Sequence, residues 1–396
     1  MRLPANRGPS GSSSMPFSLF ALIGLLASAL WTYVGYPALL AAVKNRRARD
    51  ADSETRVSSD AMPSLTVIVA ALDEEAVIEA KIDDLRNQDY PGDKLQLIVA
   101  ADGSSDETAE LAESLGVDCL WRPERLGKTS AINRAMEIAT GEIICLTDAN
   151  CALEQGSLTA VATHFLDPKV GIVSGAKMVS GEGGRGTGEG LYWRYEAMLK
   201  NGESALGVTM GAPGELLGIR ASLFRPIPQH IINDDFFLTC DVLSRGYESR
   251  YAAEALTSEE TPESARAEFD RRTRIAAGTW QSSFAFSRLG SPKQGWLAVS
   301  FVSHRILRNI VVPLSLPVIW VLSRRLSRSY PLSRLLYRGQ GLAYLAAAAG
   351  IVTDARALAP FSEFLLVNTA QLRGGFRWVT GRQNPLWDKP VRKKWA

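Results

Sequence analysis

Three short apolar runs, each ending beside an aspartate, constrain this chain more than any other feature. They are "LTVIVA" at 65–70, "LQLIVAAD" at 95–102 and "EIICLTD" at 142–148. Each is aliphatic and β-branched, without the polar alternation of a half-exposed strand, which suits strands buried on both faces. Helical patterns lie between them. Val77, Ile78, Ile82 and Leu85 follow Glu74, "DETAELAESLG" (106–116) closes on a glycine, and a third helix is predicted over 128–139 before Gly141. Strands and helices alternating at this spacing imply βαβ units on a parallel sheet, so the chain is α/β. Ligands of such sheets bind beyond the carboxyl ends of the strands. Asp73, Asp102 and Asp148 fall there, and that convergence is the first functional signal.

The flanks differ in character. After a tail at 1–15, the 28 residues from Pro16 to Val43 contain no charge. About 20 apolar residues cross a bilayer core, so 16–43 is expected to be a transmembrane helix. Ala27-Ser28-Ala29 resembles a signal-peptide cleavage site, but the apolar run continues past it, and a secretory h-region is shorter. Lys44, Arg46, Arg47 and Arg49 follow the run, against Arg2 and Arg7 before it. That bias puts the next domain on the cytoplasmic face of the cell (inner) membrane. Residues 44–62 read as a polar linker, 63–290 as the α/β domain, 291–375 as C-terminal membrane-associated helices and 376–396 as a tail. Apolar runs at 309–323, 341–352 and 355–372 are short, and Arg324, Arg325, Arg328, Arg334 and Arg338 separate the first two. Interfacial or re-entrant helices meeting anionic membrane lipid fit that charge, with a two-helix hairpin as the alternative.

Bulk composition excludes other classes. A formal charge of +2 gives no electrostatic case for nucleic acid as a partner. Four cysteines without a CxxC pair and only three histidines argue against zinc and against a disulfide framework. The glycine-rich "SGEGGRGTGEG" (180–190) lacks a full GxGxxG between strand and helix, and is expected to be a loop over a site.

Sugar transfer from a nucleoside diphosphate needs three things, and the chain has residues suited to each. A departing diphosphate requires a cation, and Mg2+ or Mn2+ takes oxygen ligands, often only one or two from protein. Asp148 and Asn150 of "TDAN" have that character. An inverting reaction needs a carboxylate to accept the proton of the acceptor hydroxyl, and "INDDFFL" (232–238) offers Asp234 and Asp235 ahead of a helix. Cationic groups should screen the diphosphate, and "RRTR" supplies Arg271, Arg272 and Arg274. Each feature alone has an ordinary structural explanation: a turn, an N-cap with first-turn acids, a solvated basic face.

The order of the motifs is more specific. "AALDEE", "ADGSSDET", "RLGKTSAIN", "TDAN", "DDFFL" and "RRTRIAAG" together resemble glycosyltransferase family 2 across about residues 64–280. The resemblance implies a GT-A fold, Rossmann-like, with a mostly parallel sheet flanked by helices. It also implies a nucleotide-sugar donor, most simply a UDP-sugar, and a lipid-linked or polysaccharide acceptor. Carried over by position, Asp102 would contact uracil, Ala71 and Glu74 would lie in the nucleotide-cradling turn, and Arg125 and Lys128 would bind the donor. Asp148 and Asn150 match the DxD metal motif, Asp235 the catalytic base with Asp234 before it, and Arg271 and Arg274 the element that steadies the diphosphate. Glu215 falls in a segment lining the acceptor side.

This chain departs from the family pattern in places. Asn150 replaces the second Asp of DxD, removing a charge but keeping an oxygen ligand. Asp73 stands where many members carry Asn. Ile275 stands where processive synthases carry Trp, which argues against a polymerase. Two competing functions are a nucleotidyltransferase on a similar fold and a catalytically dead membrane scaffold. The first would need a basic glycine-rich loop where "AALDEE" is acidic, and the second would predict loss of the acids that are present.

Overall fold

The structure is a computed structural model that describes residues 16–50, 61–178, 188–211, 214–259, 265–353 and 355–386. The aliphatic runs form the centre of the sheet. Strand β1 (Leu65–Ala71) lies between β2 (Leu95–Asp102) and β4 (Ile143–Asp148), with β3 (Asp118–Arg122) outside β2, and all three pairings are parallel. Their register sets Ala70 beside both Ala100 and Asp148, so the strands end together and their acids share one edge. The sheet continues through β5 (Cys151–Leu153), β6 (Val170–Met178), β7 (Leu217–Arg220) and β8 (Glu248–Glu259), in the order β3-β2-β1-β4-β7-β6-β8-β5. Strand β7 runs antiparallel to both β4 and β6, which makes the sheet mixed beyond its parallel centre.

Alternate residues of the same strands serve two cores. Val67, Val69, Val99, Ile143 and Cys145 pack on one face, and Ile68, Ile98, Ile144 and Leu146 on the other. Burying one such side chain is worth about 1.5–3 kcal/mol, so a strand buried on both faces is strongly held. The first face takes α3 (Ile78–Arg86), α4 (Thr108–Ser114) and, further along the chain, α6 (Ser157–His164); the second takes α5 (Lys128–Ala135) and α8 (Asp234–Ser244). The four cysteines are unpaired.

The N-terminal run is one continuous helix: α1 (Phe17–Leu30), a π-helical turn at Trp31–Gly35, and α2 (Tyr36–Asp50). Helix α7 (Gly188–Ser204) packs on α2, with Gly202 allowing close approach to Leu40. After α9 (Ala265–Ala285), α10 (Trp296–Ser300) passes through a π-helical segment, Phe301–Val311, into α11 (Val312–Leu326). Among the described residues, two helical stretches are long and apolar enough to cross a bilayer: Phe17–Asn45, with mean hydropathy 1.9, and Trp296–Leu326, with mean hydropathy 1.8. They touch through Leu22, Ile319 and Leu326. Helices α12 (Pro331–Thr353) and α13 (Ala359–Val379) follow, and α13 lies along α9 with Gly374 and Gly375 at the crossing.

Several boundaries differ from the sequence reading. Residues 74–77 form a turn rather than a helical start, because the amides of Val77 and Ile78 both donate to the Glu74 carbonyl. The helix predicted over 128–139 ends at Ala135, and the linker predicted at 44–62 is helical to Asp50. The apolar run at 309–323 belongs to a helix that begins at Trp296. The charged residues that hid its first half are held by partners inside the protein. The predicted tail at 376–396 is helical to Val379. Most of the glycine-rich stretch at 180–190 lies outside the described residues, and its end, from Gly188, is helix α7.

Candidate active site

Beyond the ends of β1, β2 and β4 lies a cleft. Ala71, Glu74, Asp102, Arg125, Lys128, Asp148 and Asn150 all line it, so residues from four separate motifs meet there. The loops are tied to one another before any ligand binds. The Glu74 amide donates to Thr108 Oγ1 at 2.7 Å, and Ser105 N–H donates to Asp73 Oδ1 at 2.7 Å. Asp73 adopts a left-handed conformation, φ 52°, to make that link. Asp102 is 5 % exposed and accepts the amides of Leu126 and Gly127 at 3.1 and 2.6 Å. Its carboxylate thus clamps the loop that carries Arg125 and Lys128.

Lys128 is the electrostatic centre. Its ammonium lies 2.7 Å from Asp148 Oδ1 and 3.5 Å from Asp234 Oδ2. Burial opposes that charge, yet Asp148 and Asp234 outweigh it and hold the lysine above its usual pKa. Asp234 and Asp235 form the first turn of α8, after Asn233 at the N-cap, where the helix dipole favours carboxylates. They were expected ahead of the helix and are inside it. Desolvation, followed by Asp234, pushes the Asp235 carboxyl up to about 7 against the pull of Lys128. Arg274 reaches this group from α9. Burial lowers its pKa, while Asp234, Asp235 and Asp148 all favour its charge. Gly278 lets α9 cross close to Asn233, where a Cβ would stand 2.4 Å from Asn233 Cβ.

Glu215 and Arg271 belong to a second, connected cluster. Lys177 sits 2.8 Å from Glu215 Oε1 and 2.6 Å from Glu259 Oε2, and Arg271 lies 3.0 Å from Glu259 Oε2. Burial would raise the Glu259 carboxyl, but Arg271 and Lys177 hold it at about 2. Glu215 is 4 % exposed, so its carboxylate is committed to this network. Asn150 joins the cluster to the cleft, donating from Nδ2 to Glu259 Oε1 at 3.0 Å. That bond uses the amide nitrogen, so Oδ1 is the atom Asn150 can offer a cation.

Among the described residues, no three or more His, Cys, Asp or Glu side chains converge as a metal site. The cleft offers instead the Asp148 carboxylate and the Asn150 carbonyl, a sparse oxygen set suited to Mg2+ or Mn2+ sharing its shell with phosphate. The Lys128 ammonium against Asp148 marks the place as one that favours positive charge.

Sequence reasoning missed Lys177, Glu259 and the C-terminal segment. Lys177 had one visible signal, a lone cation ending the apolar strand "VGIVSGAKM". Leu386 had none: it lines the cleft and packs over Gly127, while the Pro385 carbonyl accepts from Arg274 at 3.4 Å.

Comparison with known proteins bears on this arrangement. Residues 66–225 match the model for Glycosyl transferase family 2. The "Probable glycosyltransferase YdaM" of Bacillus subtilis is 27% identical over 237 residues, covering 55% of each chain. A "Beta-monoglucosyldiacylglycerol synthase" of Synechocystis is 25% identical over 295 residues, 69% of this chain and 60% of that one. The chain therefore spans less than two thirds of the length of these two relatives. Among solved structures, a mannosyltransferase from Pyrobaculum calidifontis in complex with GDP-Man and Mn2+ superposes with a TM-score of 0.71 at 22% identity. It covers 92% of this chain and 99% of that one, and shares the GT-A fold.

Proposed function

We propose, from the match of residues 66–225 to the Glycosyl transferase family 2 model, that this protein transfers a hexosyl or N-acetylhexosaminyl group from a nucleotide-sugar to an acceptor hydroxyl, with inversion. The observation that carries the reading is that Lys128, which lines the cleft with Asp148, pairs with both Asp148 and Asp234, with Asp235 next to Asp234 in the first turn of α8. Asp148 and Asn150 would hold Mg2+ or Mn2+, which supplies charge neutralisation for the leaving diphosphate. Lys128 and Arg274 add positive charge on the same side. Asp235 takes the proton from the acceptor hydroxyl as the acceptor oxygen bonds to the anomeric carbon and the bond to the diphosphate breaks. A carboxyl near 7 is well matched to that task at neutral pH, because base strength and the ionised fraction are both substantial.

The finer reading is a UDP-sugar donor and a lipid-linked or polysaccharide acceptor at the cytoplasmic face of the inner membrane. The helices Phe17–Asn45 and Trp296–Leu326 would hold the catalytic domain there. The lipid side draws support from the Synechocystis relative, whose name describes synthesis on diacylglycerol. The test is to incubate detergent-solubilised protein with Mn2+ and a panel of UDP- and GDP-sugars, and follow nucleoside diphosphate release with and without total lipid extract. Release from one donor, dependent on Asp235, supports the reading. No release from any donor with any acceptor removes it.

A further inference from the structure

Two cations beside the site have no carboxylate partner among the described residues. Lys200, on α7, is 5 % exposed, and among the described residues its ammonium makes no ion pair or hydrogen bond; it lies over the Tyr251 ring, 5.5 Å from the centroid. Arg305, on the π-helical segment, donates to the Met210 carbonyl and stacks over Phe236 at 4.3 Å, while its buried Nε has no partner. The two side chains flank Met210 and Gly211. A Cβ on Gly211 would stand 2.5 Å from Lys200 Cε, so glycine there makes room for the lysine stem.

The carboxylates nearby are already matched. Glu196 pairs with Arg308 at 2.5 Å, and Glu215 and Glu259 share Lys177 and Arg271. Glu203 is fully buried and accepts from Tyr36 at 2.6 Å and the Met210 amide at 2.9 Å, with His304 Nδ1 at 2.7 Å. Burial lowers the Lys200 pKa, and Arg305 adds to that against Glu196 and Glu215. Uncompensated buried charge is costly, and an anion placed between Lys200 and Arg305 would relieve it.

We propose that Lys200 and Arg305 form an anion site, and that it takes the phosphate of a lipid phosphoester. The position selects the lipid source. Lys200 stands on the helix that packs against the N-terminal apolar helix, and Arg305 lies within the other bilayer-length helix. Ser303, two residues before Arg305, accepts from Trp31 Nε1 at 2.9 Å, so the two apolar helices meet beside the site. A ligand with a phosphate head and apolar tail fits that junction.

The role of this anion as part of the acceptor rests on the transferase reading; the binding site itself does not. Calorimetry on the full chain in detergent would use dodecyl phosphate as probe, with dodecanol and inorganic phosphate as controls. Wild type should bind dodecyl phosphate, and Lys200→Met and Arg305→Met should each weaken it by about tenfold or more, the scale of one charge-assisted contact. Lys200→Arg should retain most of the affinity, which a merely structural lysine would not require. UDP–Mn2+ binding should stay unchanged in all three variants and reports their folding. Equal binding by wild type and both methionine variants, or of phosphate and alcohol probes, overturns the site. Inorganic phosphate binding as tightly as dodecyl phosphate overturns the lipid source. Nucleoside diphosphate release, measured separately, tests the transferase reading alone.

Discussion

Lys128 Nζ lies 2.7 Å from Asp148 Oδ1, and the same ammonium is the cation that faces Asp234. One side chain therefore balances the acid expected to hold a metal and the acid pair expected to hold the base. Its removal leaves these carboxylates repelling one another across a small cleft.

Lys128→Met should weaken UDP–Mn2+ binding by about 10- to 100-fold, since a charge-assisted hydrogen bond is worth about 1.5–3 kcal/mol. It should also move the acidic limb of the kcat profile to higher pH. Lys128 favours the ionised form of Asp235, so its loss raises that carboxyl above about 7. Calorimetry checks the first effect and a pH series the second.

Asp235→Asn should lower kcat by at least about 100-fold, the usual contribution of a general base, with UDP binding largely kept. The same substitution should stabilise the metal-free protein. The folded carboxyl titrates near 7 against 3.8 for a free aspartate, so it binds protons more tightly in the folded state. Its contribution to stability is full below about 3.8 and is lost as pH rises to about 7. Asparagine, always neutral, avoids that loss. Thermal unfolding without metal should show the variant more stable than wild type at pH 8 and nearly equal to it at pH 4.

The centre of the sheet was readable because β1, β2 and β4 are aliphatic runs whose pattern needs no long-range information. Their shared register then brings Asp102 and Asp148 to the same edge, with Asp148 level with Ala100, without further instruction. Strand β7 was not readable: four residues within "GELLGIR" are too short for periodicity, and their pairing with β4 spans some seventy positions of chain. The helix from Trp296 was hidden by His304, Arg305 and Arg308, whose charges break an apolar pattern that tertiary contacts restore. Lys177 and Glu259 come from separate strands, and nothing local to either announces the other. Helix starts erred by a few residues where side chains compete for backbone groups, as at Glu74.

Gly374 sits where α13 presses on α9, and a Cβ there would stand 2.5 Å from the Thr273 carbonyl and 2.7 Å from the Ala277 amide. Both are backbone atoms that cannot turn aside. Gly374→Val should force the helices apart, cost about 1–3 kcal/mol and displace Arg271 and Arg274 with α9. Thermal unfolding reads the first effect. A raised KM for donor reads the second.

Asp102 offers the sharpest separation between two roles. If it clamps the loop at Leu126 and Gly127, Asp102→Asn removes one of two acceptor oxygens and leaves a buried amide short of a partner. That costs about 1–3 kcal/mol and loosens Lys128, which follows Gly127 directly. Binding of pyrophosphate with Mn2+ should then weaken along with binding of UDP, by a similar factor. A direct contact to the base predicts the opposite pattern, in which UDP weakens and pyrophosphate is unchanged. The geometry favours the clamp, because both carboxylate oxygens already accept backbone amides in the folded chain.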